Sequence, residues 1–223
     1  MLKEVIDRLI SLKGRPLVFI FSSFIHGAGK SFLKNKFKEM LEKEGYSVYS
    51  ISTGDIFREL AARNNMSIDA FVDYLYKNPN IAQKVDLELD KSIYETVSRL
   101  IKEKQYDVIL VDSNLASYYI NGKNVIKIKV VSDPDIIAKR VFENPRKSDR
   151  SYNSIEDVKI SILKRTEEDK KRYARLAKEV EDPFWKKVYS NWGKDVFDII
   201  INNNSTWEDS IKQLLDGLRK ITR

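Results

Sequence analysis

The strongest indication of the fold lies near the amino terminus, in residues 17–31, with the sequence LVFIFSSFIHGAGKS. Its first five residues are apolar, which is typical of a short strand buried on both faces of a parallel sheet. Apolar residues at helical spacing follow from Lys30 to Glu44, and Gly45 ends that pattern. The sequence therefore predicts a buried strand, a glycine-containing loop and a helix in direct succession.

The loop fits the phosphate-binding pattern G-x-x-x-x-G-K-[ST] at Gly29, Lys30 and Ser31, whereas Phe24 stands at the first glycine. Gly27 and Gly29 let the backbone curl so that its N–H groups point at phosphate oxygens. We expect Lys30 to contact the terminal phosphates of ATP and the Ser31 hydroxyl to bind Mg²⁺. A glycine-rich turn that merely enters a helix is the alternative interpretation. The predicted ATP-binding residues of the loop are Ile25, His26, Gly27, Ala28, Gly29, Lys30, Ser31 and Phe32.

The third predicted strand, residues 106–112, ends in an acid, Asp112. In nucleotide sites built on a phosphate loop, an acid at the end of a neighbouring strand holds Mg²⁺. We therefore predict Asp112 as a second magnesium residue beside Ser31. An aspartate in this position is also a common turn residue, so the phosphate loop is what gives the prediction its weight.

Further strands are predicted at residues 46–51, 125–131 and 196–201, and helical segments are predicted between all successive strands except the third and the fourth. This alternation indicates right-handed crossovers and an α/β fold, with a mainly parallel sheet and helices on both faces. We expect a single domain over residues 1–223, with ligands at the carboxyl ends of the strands. Residues 144–153 are predicted to form an exposed, charged insertion.

The composition excludes several classes of site. The 223 residues contain no cysteine, which excludes disulfides, zinc–thiolate sites, iron–sulfur clusters and a cysteine nucleophile. They contain one histidine, so any histidine-dependent chemistry needs His26. The apolar run 17–21 is far shorter than the ~20 residues of a spanning helix, and we expect a cytoplasmic protein outside the membrane. The net charge of +7 indicates an anionic partner: nucleotides, nucleic acid or an anionic membrane surface.

Two sets of residues could bind a second phosphate. Thr53 and Arg58 lie at a helix entrance after the second strand, where a hydroxyl and a guanidinium can grip an anion. Arg165, Asp169 and Arg172 are spaced by four and three residues, which puts them on one face of a long predicted helix. Taken alone, this row is more typical of surface ion pairs.

Together these features resemble the archaeal-type cytidylate kinases, which are P-loop nucleoside monophosphate kinases. Besides the loop, the similarity is carried by residues 52–61 (STGDIFRELA), by Arg-x3-Asp-x2-Arg-Tyr at 165–173, and by residues 197–207. It covers nearly the whole chain, from about residue 18 to residue 218. The resemblance implies a P-loop kinase fold with five parallel strands in the order 2-3-1-4-5.

The resemblance also implies two accessory parts. The acceptor-binding helical part is expected at about residues 53–103, and a small lid at about residues 144–153. The lid carries Arg146, Lys147 and Arg150, and we expect Arg146 and Arg150 to bind ATP when it closes. From its charge alone, the same segment is also typical of a solvated loop.

The implied activity is phosphoryl transfer from ATP to a nucleoside monophosphate, with CMP or dCMP as the expected acceptor and Mg²⁺ as the metal. Arg165 and Arg172 are expected to engage phosphates and to act with Lys30 as catalytic cations, while Asp169 helps to position the CMP. The implied acceptor-binding residues are Thr53, Arg58, Asn114, Arg165, Asp169 and Arg172.

Two positions depart from the family pattern: Phe24 replaces the first glycine, and Asn114 replaces an arginine on the acceptor phosphate. Asn114 keeps open a kinase for another small acceptor, such as AMP or UMP. A non-catalytic nucleotide sensor and a nucleic-acid-binding paralogue are further alternatives. We expect ATP and CMP as partners rather than nucleic acid or membranes, and a monomer or weak homodimer.

Overall fold

The computed structural model describes residues 2–144 and 152–222. Its five strands form one sheet in the order β2-β3-β1-β4-β5, and every neighbouring pair is parallel. This confirms the strand order that the resemblance implied. The strands are β1 (Leu17–Ser22), β2 (Val48–Ser52), β3 (Val108–Asp112), β4 (Val125–Val131) and β5 (Ile199–Asn202).

Helices connect the strands and precede the first of them. Several helices begin at polar caps that the sequence provides: Ser67 accepts a hydrogen bond from the Ala70 N–H, and Ser154 accepts one from the Asp157 N–H. The helices are α1 (Leu2–Lys13), α2 (Lys30–Lys43), α3 (Thr53–Arg63), α4 (Ile68–Lys77), α5 (Pro79–Glu103), α6 (Ala116–Tyr119), α7 (Pro134–Glu143), α8 (Ile155–Glu179), α9 (Pro183–Ser190) and α10 (Trp207–Ile221).

Three of the predicted strand starts shift, and α6 and α9 lie where the sequence predicts no helix. Strand β3 begins at Val108, two residues later than predicted. Strand β2 begins at Val48 rather than Tyr46, because the Tyr46 N–H donates to the Leu41 carbonyl in the last turn of α2 at 3.1 Å rather than to a neighbouring strand. Strand β5 begins at Ile199, three residues later than its apolar pattern suggested.

Both faces of the sheet are covered, and β1 lies at its centre with all six residues buried. Leu17, Phe19 and Phe21 pack into a core with α1, α2 and α10, while Val18 and Ile20 face a second core with α5, α8 and α9. Strand β1 therefore holds the loop that follows it on a support fixed from both sides. In the two described ranges, no helix is both long and apolar enough to cross a bilayer.

Candidate nucleotide-binding site

The loop between β1 and α2 depends on two glycines. Gly27 and Gly29 have φ values of +81° and +89°, which a residue with a side chain rarely adopts. A Cβ atom at Gly27 would lie 2.6 Å from the Cγ2 atom of Ile137, and one at Gly29 would collide with the Asn203 amide. Both glycines are therefore required by conformation and by space, and they bring the loop backbone to the first turn of α2.

Hydrogen bonds with the segments that follow β3 and β5 hold the loop in place. The buried side chain of Asn203, which follows β5, donates to the Ala28 carbonyl at 2.8 Å and accepts from the Ser210 hydroxyl at 2.8 Å. Before the loop, the Ser22 hydroxyl donates to the Ser113 carbonyl at 2.7 Å. The loop is thus tied to the segments after both β3 and β5.

Phe24 stands where the pattern has its first glycine, and its ring packs into an aromatic cluster. Its ring centroid lies 5.3 Å from that of Trp192 and 5.8 Å from that of Phe197, both in edge contacts. The Lys129 ammonium lies 4.6 Å from the centroid of the Phe24 ring. Apart from glycines, the described residues with positive φ are Asn65 and Lys104, so Phe24 has an ordinary backbone conformation.

The Lys30 ammonium lies among polar groups at the carboxyl end of β3 and just after it. Its Nζ atom is 2.7 Å from Oδ1 of Asp112 and 3.0 Å from Oδ1 of Asn114. Asn114 also accepts a hydrogen bond from the Ser23 N–H at 3.3 Å. Asn114, which the resemblance predicts to bind the acceptor, therefore contacts Lys30 and Ser23 of the phosphate loop in this structure.

Asp112 is buried, with an exposed fraction of 3%, yet it stays ionised. Burial alone would raise its pKa, but the Lys30 ammonium, the Ser31 hydroxyl and the Lys34 charge together hold that pKa below its usual value. Its second oxygen, Oδ2, is buried and has no hydrogen-bond partner. A charged carboxylate with a free oxygen, close to a serine hydroxyl at the start of α2, is a donor set that suits Mg²⁺.

One member of the row of charges on α8, Asp169, contacts the phosphate loop. Oδ2 of Asp169 lies 2.8 Å from Nε2 of His26, and Oδ1 lies 2.9 Å from a terminal nitrogen of Arg172. Burial would raise the pKa of Asp169, but the His26 hydrogen bond and the charges of Arg172 and Arg165 lower it, so Asp169 is a carboxylate. The structure thus brings Asp169 to the loop and places Arg172 beside Asp169.

Behind this row lie two acids on α5 that sequence reasoning missed. Asp86 pairs with Arg172 at 3.3 Å, although burial raises its pKa and its Oδ2 atom has no partner. Burial raises the pKa of Asp90 to about 7, and its carboxyl accepts hydrogen bonds from Tyr189 and Tyr119 at 3.0 and 3.4 Å. In the sequence, the feature that could have indicated them is their spacing of four residues, which places Asp86 and Asp90 on one face of the helix.

The residues predicted at the entrance of α3 do not share one environment. The Thr53 hydroxyl donates to the Asp112 carbonyl at 3.4 Å, which places Thr53 next to the carboxyl end of β3. The Arg58 side chain is 56% exposed and pairs with Asp55 within its own helix. Arg146, Lys147 and Arg150 lie outside the described residues, so their predicted role in a lid stays a prediction.

Comparison with known proteins places this geometry in context. The chain is 26% identical over 178 residues to a cytidylate kinase from Archaeoglobus fulgidus, covering 80% of this chain and 83% of that protein. It is 30% identical over 150 residues to a cytidylate kinase from Pyrobaculum neutrophilum, covering 67% and 70%. A family model described as an AAA domain matches residues 25–159. A solved structure of an uncharacterized protein from Eubacterium ventriosum is similar in fold alone, with a TM-score of 0.52 and 15% identity over 92% of this chain and 98% of that one.

Proposed function

We propose that this chain, which belongs to the family of the archaeal cytidylate kinases, transfers the γ-phosphoryl group of ATP to CMP or dCMP. One observation carries the proposal: the phosphate loop meets the row of charges on α8 through the 2.8 Å contact between His26 and Asp169. A triphosphate bound by the loop would therefore lie close to an acceptor bound by that helix.

The donor side would bind ATP mainly through positive charge and backbone N–H groups. The loop residues and the first turn of α2 would hold the phosphates, and Lys30 would exchange its contact with Asn114 for a phosphate oxygen. Ser31 and Asp112 would hold Mg²⁺. When bound, the metal supplies positive charge that neutralises the phosphate oxygens.

The acceptor side would supply cations and orientation. Arg165 and Arg172 would engage phosphate groups, and Asp169 would position the nucleoside of CMP. An oxygen of the CMP phosphate attacks the γ-phosphorus, the bond to the β-phosphate oxygen breaks, and the products are CDP and ADP. This oxygen is already ionised at neutral pH, so the reaction needs positioning and charge rather than a strong base.

The experiment that tests the proposal is a coupled assay of ADP release with CMP, dCMP, UMP and AMP as acceptors, and a sample without acceptor as control. We expect the highest kcat/KM with CMP or dCMP, and release without acceptor that is slower by orders of magnitude. A clear preference for AMP would overturn the choice of acceptor. Absence of turnover with every acceptor, in protein that binds ATP, would instead support a nucleotide sensor.

A further inference from the structure

The phosphate loop and helix α8 are joined by a direct side-chain contact. Nε2 of His26 lies 2.8 Å from Oδ2 of Asp169, although the two residues are 143 positions apart in the sequence. Both side chains are largely shielded, with exposed fractions of 30% and 16%. A charged hydrogen bond between partly buried groups is stronger than the same bond in open solvent.

This contact is the first link of a longer chain of polar groups. Oδ1 of Asp169 pairs with Arg172, and Arg172 pairs with Asp86 on α5 at 3.3 Å. His26 thereby occupies one of the two oxygens of Asp169, while Arg172 occupies the other. A carboxylate held at both oxygens has little rotational freedom, so the His26 contact also fixes the place of the Arg172 guanidinium.

A phosphate loop binds its ligand mostly through backbone N–H groups and its lysine, which leaves the side chain of His26 available for another task. We propose that His26 is a positioning residue for the acceptor: by holding Asp169, it keeps Asp169 and Arg172 oriented to receive CMP. This inference rests on the function proposed above. Its distinctive consequence is that a residue of the donor loop controls the KM of the acceptor.

The first test compares His26→Ala with His26→Gln, because glutamine places an amide nitrogen close to the position of Nε2. We expect His26→Ala to raise the KM for CMP about tenfold while the KM for ATP changes less than about twofold. His26→Gln should recover most of the loss. A KM for ATP that rises as much as the KM for CMP would overturn the proposal, since His26 would then act on the donor phosphates.

The second test is a double-mutant cycle with Asp169→Ala. If His26 acts through Asp169, removing both side chains should raise the KM for CMP no further than Asp169→Ala does alone. Fully additive effects would overturn the proposal. Lys170→Ala is the matched control on α8, because Lys170 is exposed and pairs with Glu167 rather than with the loop, and it should leave both KM values unchanged.

The third test uses the fact that His26 is the single histidine of the chain, so its ring resonances need no assignment in NMR spectra. Addition of CMP without ATP should shift these resonances in the wild type and in Lys170→Ala, and clearly less in Asp169→Asn. If CMP does not shift these resonances although the wild type converts CMP to CDP, this inference alone is overturned. Lack of turnover with every nucleoside monophosphate would overturn the proposed function and this inference together.

Discussion

The two sides of the candidate site are held in place by different kinds of interaction. On the donor side, a fully buried strand, two glycines with positive φ and hydrogen bonds to the backbone set the loop. On the acceptor side, Asp169, Arg172 and Asp86 are side chains of two helices that hold one another by charge. Backbone geometry barely responds to salt or pH, whereas pairs of partly exposed charges respond to both. The donor side is therefore a fixed frame, and the acceptor side is the adjustable part.

The largest expected effect tests the donor frame at Lys30. Lys30→Ala should lower kcat about a thousandfold, because it removes the cation that would stabilise the transferred phosphoryl group under the proposed function. The coupled ADP-release assay measures it, and circular dichroism checks that the variant is folded. Lys38→Ala is the control on the same helix, because Lys38 pairs only with Glu42 at the surface among the described residues. Comparable turnover in wild type and Lys30→Ala would contradict the donor assignment.

The next effect tests the acceptor side at Asp169. Asp169→Ala should raise the KM for CMP about fiftyfold, since it removes the carboxylate that would position CMP and leaves Arg172 without one of its partners. Binding of ATP, measured by calorimetry without acceptor, should weaken much less. If ATP binding weakens as much as the KM for CMP rises, Asp169 affects both nucleotides. The donor side would then not be a fixed frame that is independent of the acceptor side.

Substitutions of Phe24 test whether the phosphate loop depends on aromatic packing. Phe24 stands where the motif normally has glycine. Phe24→Gly restores the motif but removes the ring from its contacts with Trp192 and Phe197, so we expect the free energy of unfolding to fall by about 2 kcal/mol. Urea denaturation measures this loss, and Phe24→Leu should lose less. An unfolding free energy of Phe24→Gly equal to that of the wild type would show that the aromatic cluster does not support the loop.

Asp90 tests the pH response of the acceptor side. Its pKa rises from 3.8 in the unfolded chain to about 7 in the folded protein, so the folded state holds a proton that the unfolded state has lost between these values. Its contribution to stability is therefore present at low pH and is lost as the pH rises through 7. Relative to Asp90→Asn, the wild type should lose about 1.5 kcal/mol of unfolding free energy between pH 6 and pH 8, as measured by urea denaturation. A difference between the two proteins that does not vary with pH would contradict this.

The same contrast explains what the sequence could predict. The five strands and the strand–loop–helix unit are predicted because apolar runs and glycine spacing are local signals, whereas the strand order is predicted only through the resemblance to the cytidylate kinases. The contact of His26 with Asp169 links residues 143 positions apart, and the two acids on α5 become relevant only once α8 lies beside them. Phe24 was noted as a departure from the motif, but its packing role depends on Trp192 and Phe197, far away in the sequence. Charges on helix faces have many possible partners, and only the packing of the helices selects among them.

The smallest expected effect concerns Arg58, where the predicted role and the observed position differ most. Arg58 is 56% exposed and pairs with Asp55 one turn away, so Arg58→Ala should change the unfolding free energy by less than about 0.5 kcal/mol. If Arg58 reaches CMP only after leaving Asp55, the KM for CMP should rise about threefold in Arg58→Ala, and this increase should shrink at high salt. Asp55→Ala, which frees Arg58, should leave the KM for CMP equal to or slightly below that of the wild type. An effect of Arg58→Ala as large as that of Asp169→Ala would mean that α3 closes onto the acceptor, so that the adjustable part includes a whole helix rather than a row of side chains.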